Sequence, residues 1–218
     1  MNSYIRQKAV EAYNQSTNIL EAMFKLFKRI EEANGKDFDV RLALNRFDVL
    51  LQYSMMQVAL KDGYLHVEEV KLIRDLSKYC DFCDYLNKMG YKDVTWQMVL
   101  NTNEATIQSI ISDYHDDMID LNRNFIFIFS AIDKALTQYS YIDMLKKNVI
   151  TILSAVAAAD NDFNKEEVGA DCLILGALFA IEKLINDSTD TLSESAQSLN
   201  KEQSMSRKSL KNFYVKKN

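Results

Sequence analysis

Apolar residues recur along this chain at intervals of three and four, the period that lines one face of an α-helix. Leu20, Met23, Phe24, Phe27 and Ile30 share such a stripe and predict a helix over residues 4–33, closed by Asn34-Gly35. Leu44, Phe47, Leu51, Met55 and Val58 predict a second helix over 40–61, followed by a turn at Asp62-Gly63. Val70, Ile73 and Leu76 predict a third over 67–80, after which the pattern loosens through Gly90 and Lys92 until a short helix around Trp96. Asn103, with Glu104 in the first turn, opens the longest predicted helix, 104–138, whose buried stripe runs Ile107, Ile111, Tyr114, Leu121, Phe125 and Phe129. Two more helices are expected over 142–159 and 165–185. Past Asn186 only the spaced Leu192, Leu199 and Leu210 suggest residual helix in a Ser-, Asn- and Lys-rich tail.

Composition agrees with this reading. The 218 residues contain no proline and five glycines, so the residues that most often punctuate β-rich folds are nearly missing. At 48% hydrophobic the chain is long enough to bury a core as one large domain or two small halves. The expected fold class is all-α, a helical bundle, with an N-terminal helix (1–36) lying on a helical domain (37–186) and a partly helical or flexible tail (187–218). The longest apolar run, Val149 to Ala159, is closed by Asp160 and falls short of the ~20 residues of a membrane span. Met1-Asn2-Ser3-Tyr4-Ile5-Arg6 lacks the charged start and apolar middle of an export signal, so a soluble, cytoplasmic protein is expected. Cys80 and Cys83 form a C-x-x-C without the second pair or nearby histidines of a zinc site, and read as reduced thiols near a helix end.

Charge is divided unevenly. Lys201, Arg207, Lys208, Lys211, Lys216 and Lys217 against Glu202 give residues 201–218 a net of +5 within a chain of net −5, leaving −10 on the rest. An acidic body repels nucleic acid, so no nucleic-acid partner is expected. A weak contact with an anionic membrane would fall to the tail, with Phe213 and Tyr214 as apolar anchors, against the plainer reading of a solvated terminus.

The most informative feature is internal repetition. At an offset of 98 residues Val58-Ala59 lies over Val156-Ala157, Asp62 over Asp160, Gly63 over Asn161, Leu65 over Phe163, and Glu68-Glu69-Val70 over Glu166-Glu167-Val168. Gly63 and Asn161 are both types that tolerate a left-handed backbone, and Leu65 and Phe163 supply an apolar plug for each turn.

This repeated unit resembles the tellurite-resistance TerB-like helical family. There an apolar helix ending in an Ala-Asp-Gly type of turn is followed, seven residues after the Asp, by a Glu on the next helix, and two such units pack together. Leu60-Lys61-Asp62-Gly63 and Ala159-Asp160-Asn161 are the matching turns, and Glu69 and Glu167 the matching glutamates. The resemblance covers roughly residues 40–185. It departs at Lys61, where a small residue is usual, and at Asn161, which replaces the glycine. It implies a non-catalytic stress-response or tellurite-resistance protein, built of two related helix-turn-helix halves, that binds a protein partner. Similar domains also occur at the cytoplasmic end of a membrane-anchored DnaJ-type co-chaperone.

Asp62 and Glu69 can face one turn, and Asp160 and Glu167 the other, with Asp162 and Glu166 nearby. Carboxylates converging in this way raise one another's pKa or recruit a hard divalent cation such as Ca²⁺, Mg²⁺ or Mn²⁺. Asp160-Asn161-Asp162-Phe163-Asn164 opens like an EF-hand loop, yet Lys165 stands where that loop needs glycine. The competing reading needs no metal. Asn164 with Glu167 makes a capping box, Asp160 and Glu166 suit a helix start, and Glu68 and Glu69 suit the first turn of the third helix although His66 is a poor cap.

Asp113, His115, Asp116, Asp117 and Asp120 crowd one stretch and read as a solvated acidic face, because Asp113 with Asp117 and Asp116 with Asp120 are like-charge i, i+4 pairs. With two histidines, no phosphate-cradling glycine loop and no H-E-x-x-H, the sequence offers nothing around which to build a reaction. A non-enzymatic role is the expectation.

Overall fold

The structure, a computed structural model, describes residues 2–61, 65–90, 94–101, 104–138, 140–159 and 172–185. Every regular element among them is an α-helix: α1 (Ser3–Ala33), α2 (Val40–Ala59), α3 (Val67–Asp75), α4 (Phe82–Lys88), α5 (Trp96–Asn101), α6 (Glu104–Asp113), α7 (His115–Thr137) and α8 (Ser140–Ala157). The chain divides into a unit of residues Met1–Phe179 and a second, Ala180–Asn218. Helical residues 173–179 complete the first; of the second, only the helical residues 180–185 are described. The expected tail beyond 187 lies outside the described residues. None of the described helices is long and apolar enough to cross a membrane.

Local chemistry explains most helix ends. Asn2 caps α1 by accepting from the amide of Tyr4, and α1 closes at Asn34, followed by Gly35 at φ +72°, a backbone that favours glycine. Asp39 caps α2 by accepting from Leu42 N at 2.9 Å. Its apolar stripe is buried as expected, and α2 is covered nearly all round: Asp48, Gln52, Tyr53 and Ser54 are buried with it. That makes α2 the central helix, in contact with α1, α3, α4, α7 and α8.

Aromatic rings join the elements into one core. Phe125 on α7 lies 5.8 Å from Phe47, 6.5 Å from Phe24 and 6.0 Å from Phe129, ring centre to ring centre. On α1, Leu20, Met23 and Phe24 are buried, whereas Ile30 is 42% exposed rather than buried as its spacing suggests. A helix of 31 residues is roughly 46 Å long, and the 18-residue α8 beside it spans only about 27 Å, so the end of α1 outruns its cover.

Two helices are shorter than their patterns predict. α3 stops at Asp75 rather than near Cys80, because residues 79–82 are captured by side chains of α2. The helix expected over 104–138 is broken at Tyr114 into α6 and α7. There Tyr53 Oη donates to the carbonyl of Ile111 at 3.2 Å, the oxygen that the amide of His115 would take in an unbroken helix. α4 has no forerunner in the sequence pattern. Asp81 starts it by accepting from Cys83 N at 2.8 Å, and its other oxygen takes the indole N–H of Trp96 at 2.6 Å.

Candidate functional site

The acidic junctions predicted from the repeat begin where α2 and α8 end. Those ends fall at Ala59 and Ala157, the same positions of the repeat, 98 residues apart. Both helices run in one direction. α7 is antiparallel to α2, since Tyr53 meets His115 while Phe47 meets Phe125. It also turns straight back into α8, with Asp133 accepting from the amides of Tyr141 and Ile142. Helices α2 and α8 are in contact with each other, and their C-terminal ends therefore point the same way.

Of the six candidate ligands, Glu69 lies within the described residues; Asp62, Asp160, Asp162, Glu166 and Glu167 lie outside them. Glu69 is 2% exposed, and its Oε2 accepts from the backbone N–H of His66 at 2.8 Å, closing the first turn of α3. His66 is thus served by a glutamate reaching back to its amide, although it is a poor capping residue itself. Leu65, the expected plug of the first turn, is half-buried. Among the described residues, no three His, Cys, Asp or Glu side chains gather as metal ligands do.

A second carboxylate stands out, and sequence patterning passed it over. Asp48 is fully buried in α2. Its Oδ1 accepts from Tyr13 Oη at 2.9 Å, and its Oδ2 accepts from the amides of Tyr79 at 2.6 Å and Cys80 at 3.1 Å. Tyr13 Oη in turn accepts from Lys78 N at 2.6 Å. One turn on, Gln52 donates to the carbonyl of Cys80 at 2.7 Å and accepts from Phe82 N at 3.0 Å. Asn45, with its amide suitably oriented, donates to the carbonyl of Tyr79 at 2.9 Å. Burial pushes the Asp48 carboxyl up to about 6, against the opposing pull of the Tyr79 amide and the Tyr13 hydroxyl. A perturbed carboxyl marks a candidate site only where a substrate can reach it. This one is sealed, and every contact it makes closes the loop between α3 and α4; its work is structural.

The same loop holds two of the thiols. Cys80 and Cys83 flank the start of α4, and neither they nor the buried Cys172 forms a disulfide. Burial, then the carboxylates of Asp81 and Asp84, pushes the Cys83 thiol up to about 12; burial also raises Cys80. These are the opposite of the conditions that activate a thiolate.

An open cleft of about 470 Å³ lies between the C-terminal half of α2 and the α6–α7 junction. Tyr53, Leu60 and Ile111 supply its buried floor. His115 and Asp116 are exposed on its rim, with Gln57 and Ser112 beside them. Tyr53 Oη is 3.0 Å from His115 Nδ1, so the imidazole is held by the same hydroxyl that breaks the long helix. The sequence showed the acidic stretch around His115 but gave no sign of its tie to Tyr53, 62 residues away. Asp113, Asp116, Asp117 and Asp120 are all exposed, as a solvated acidic face requires.

No family model, no curated protein and no solved structure matches the chain.

Proposed function

We propose that this chain is a non-catalytic, cytoplasmic binding protein of the TerB-like kind, acting in a stress response of the tellurite-resistance type. Its acidic junctions hold a divalent cation, Ca²⁺, Mg²⁺ or Mn²⁺, through carboxylates drawn from Asp62, Glu69, Asp160, Asp162, Glu166 and Glu167, and the loaded surface engages a protein partner. The observation that carries this reading is the pairing of α2 with α8: the two helices touch, run in one direction and end at Ala59 and Ala157, where the repeated motif would have its two turns begin.

A second reading has its own support. Glu69 already spends one oxygen on the His66 amide and is nearly inaccessible, which favours an interaction scaffold whose acidic turns only start helices.

Thermal unfolding of the full chain in millimolar CaCl₂, MgCl₂ or MnCl₂ separates the two. A cation at about 100 times its dissociation constant stabilises the folded state by about 2.7 kcal/mol. The cation reading expects a rise in Tm that is lost in the Asp160→Ala, Glu167→Ala double variant. No rise with any of the three metals, or a rise that the double variant keeps, leaves the scaffold reading.

A further inference from the structure

We propose that the cleft between α2 and the α6–α7 junction binds a primary alkylammonium group. Tyr53 has one phenolic proton and two neighbours, the Ile111 carbonyl and His115 Nδ1. A carbonyl oxygen can only accept, so the proton goes to Ile111, and His115 Nδ1 must donate its own hydrogen to Tyr53 Oη. A neutral imidazole then carries its lone pair on Nε2. The hydrogen bond that fixes the ring therefore leaves Nε2 as the acceptor that neutral His115 offers on the rim of the cleft.

Asp116, next in the chain, adds an exposed carboxylate to the same rim. Exposed Asp113 and Asp117 deepen the negative potential around it, whereas Asp120 is paired with Arg123. Of the other polar side chains in the lining, Lys61 and Gln108 already have partners, the Ser112 hydroxyl can accept as well as donate, and the Oε1 of Gln57 is buried with no hydrogen-bond partner among the described residues. Below them the floor of Tyr53, Leu60 and Ile111 is apolar and matches a methylene stem rather than a second charge. Acceptors and negative charge over an apolar floor select an ammonium on a short alkyl chain and reject a carboxylate. The volume, about 470 Å³, falls in the range of small-ligand sites. A free diamine and the lysine side chain of a protein partner offer this chemistry equally.

The test is a titration of the ¹⁵N-labelled full chain, read by amide chemical shifts, with three probes: 1,5-diaminopentane, N-acetyl-lysine-N-methylamide and 1,5-pentanediol. Saturable shifts are expected at the amides of Tyr53, Leu60 and residues 111–116 with at least one amine and not with the diol. Saturation by the diamine identifies a free amine as the ligand class; saturation by the lysine derivative alone identifies a protein side chain. Asp116→Asn, a change at an exposed position that leaves the core untouched, should weaken the response about three- to five-fold. An equal response to the diol, shifts that spread over all exposed acidic residues without saturating, or an unchanged affinity in Asp116→Asn would overturn the assignment. The amine assignment invokes neither residue changed in the Asp160→Ala, Glu167→Ala variant, so that variant should bind the amine as the parent does, which keeps this outcome separate from the cation reading.

Discussion

The carboxylate of Asp48, in the middle of α2, accepts a hydrogen bond of 2.6 Å from the backbone amide of Tyr79, so a buried side chain rather than a helical turn terminates the third helix. With Gln52 and Asn45 it supplies to Tyr79, Cys80 and Phe82 partners that regular structure would otherwise have supplied. Residues 79–81 are half-buried, and an amide turned inward there without a partner costs about 1–3 kcal/mol.

Replacing Asp48 is therefore costly in a way that depends on what replaces it. Asp48→Ala orphans the amides of Tyr79 and Cys80 and the hydroxyl of Tyr13, and should lower stability by about 3 kcal/mol or more. Asp48→Asn keeps an oxygen for the two amides and turns its NH₂ toward Tyr13 Oη, so it should lose far less at pH 7. Urea unfolding of both variants checks this; equal losses would show that the carboxyl oxygens are not what holds the loop.

The same group sets a pH dependence. Asp48 is raised from an ordinary 3.8 to about 6 by burial, so between those values the folded chain keeps a proton that the unfolded chain has released. Its contribution is fully present below about 4 and is lost as pH rises through about 6, a change on the order of 3 kcal/mol. Glu21 acts in the opposite sense and in a lower window. The Lys25 ammonium and Tyr79 hydroxyl bonded to it hold its carboxyl down at about 2 against an ordinary 4.5, so its stabilisation is present above 4.5 and lost as pH falls through about 2. Between pH 4 and 6 the stability of the parent should thus fall relative to that of Asp48→Asn. Parallel stability curves for the two would contradict this.

Asp133 plays a matching part at the start of α8. It is fully buried, and its carboxylate takes the amides of Tyr141, at 3.2 Å, and Ile142, at 2.9 Å, together with the Thr137 hydroxyl. Asp133→Ala removes a helix cap and should cost about 2 kcal/mol. Hydrogen exchange at the two amides should accelerate well before that of Val149 or Ile152 in the helix interior; uniform acceleration along α8 would mean that the bonds do not start the helix.

Cys83 should be unreactive while the chain is folded. With the thiol pushed up to about 12 and 4% exposed, labelling by iodoacetamide at pH 8 should proceed only as fast as the region opens, and at the ordinary rate in urea. Ready labelling of the native chain would contradict the packing of α4.

Helices were legible wherever local spacing decides them. Leu44, Phe47, Leu51, Met55 and Val58 sit on one face of α2 because their spacing is helical, and all five are buried. What the pattern missed are the places where a distant side chain overrides it. Asp48 and Gln52 stop α3, and Tyr53 breaks the helix that Glu104 begins; each acts across at least 28 residues, a distance to which periodicity is blind. A signal was nevertheless present. Asn45, Asp48 and Gln52 are polar at intervals of three and four within a mostly apolar helix, the spacing of a buried polar stripe. Of the acidic junctions, the acidic first turn of α3 was legible, while the use of Glu69 to close on His66 depended on a backbone amide that carries no residue-specific mark.

The cation reading rests on two junctions serving one ion, and Mn²⁺ reports on that directly, because its unpaired electrons broaden nearby amide resonances. The ¹⁵N-labelled full chain is titrated with substoichiometric Mn²⁺ while line widths are followed at Ala59 and Ala157, the last residues of α2 and α8. A shared ion broadens both in step, and the effect disappears in the Asp160→Ala, Glu167→Ala variant. Broadening at neither helix end, at one of them alone, or undiminished in that variant would contradict it.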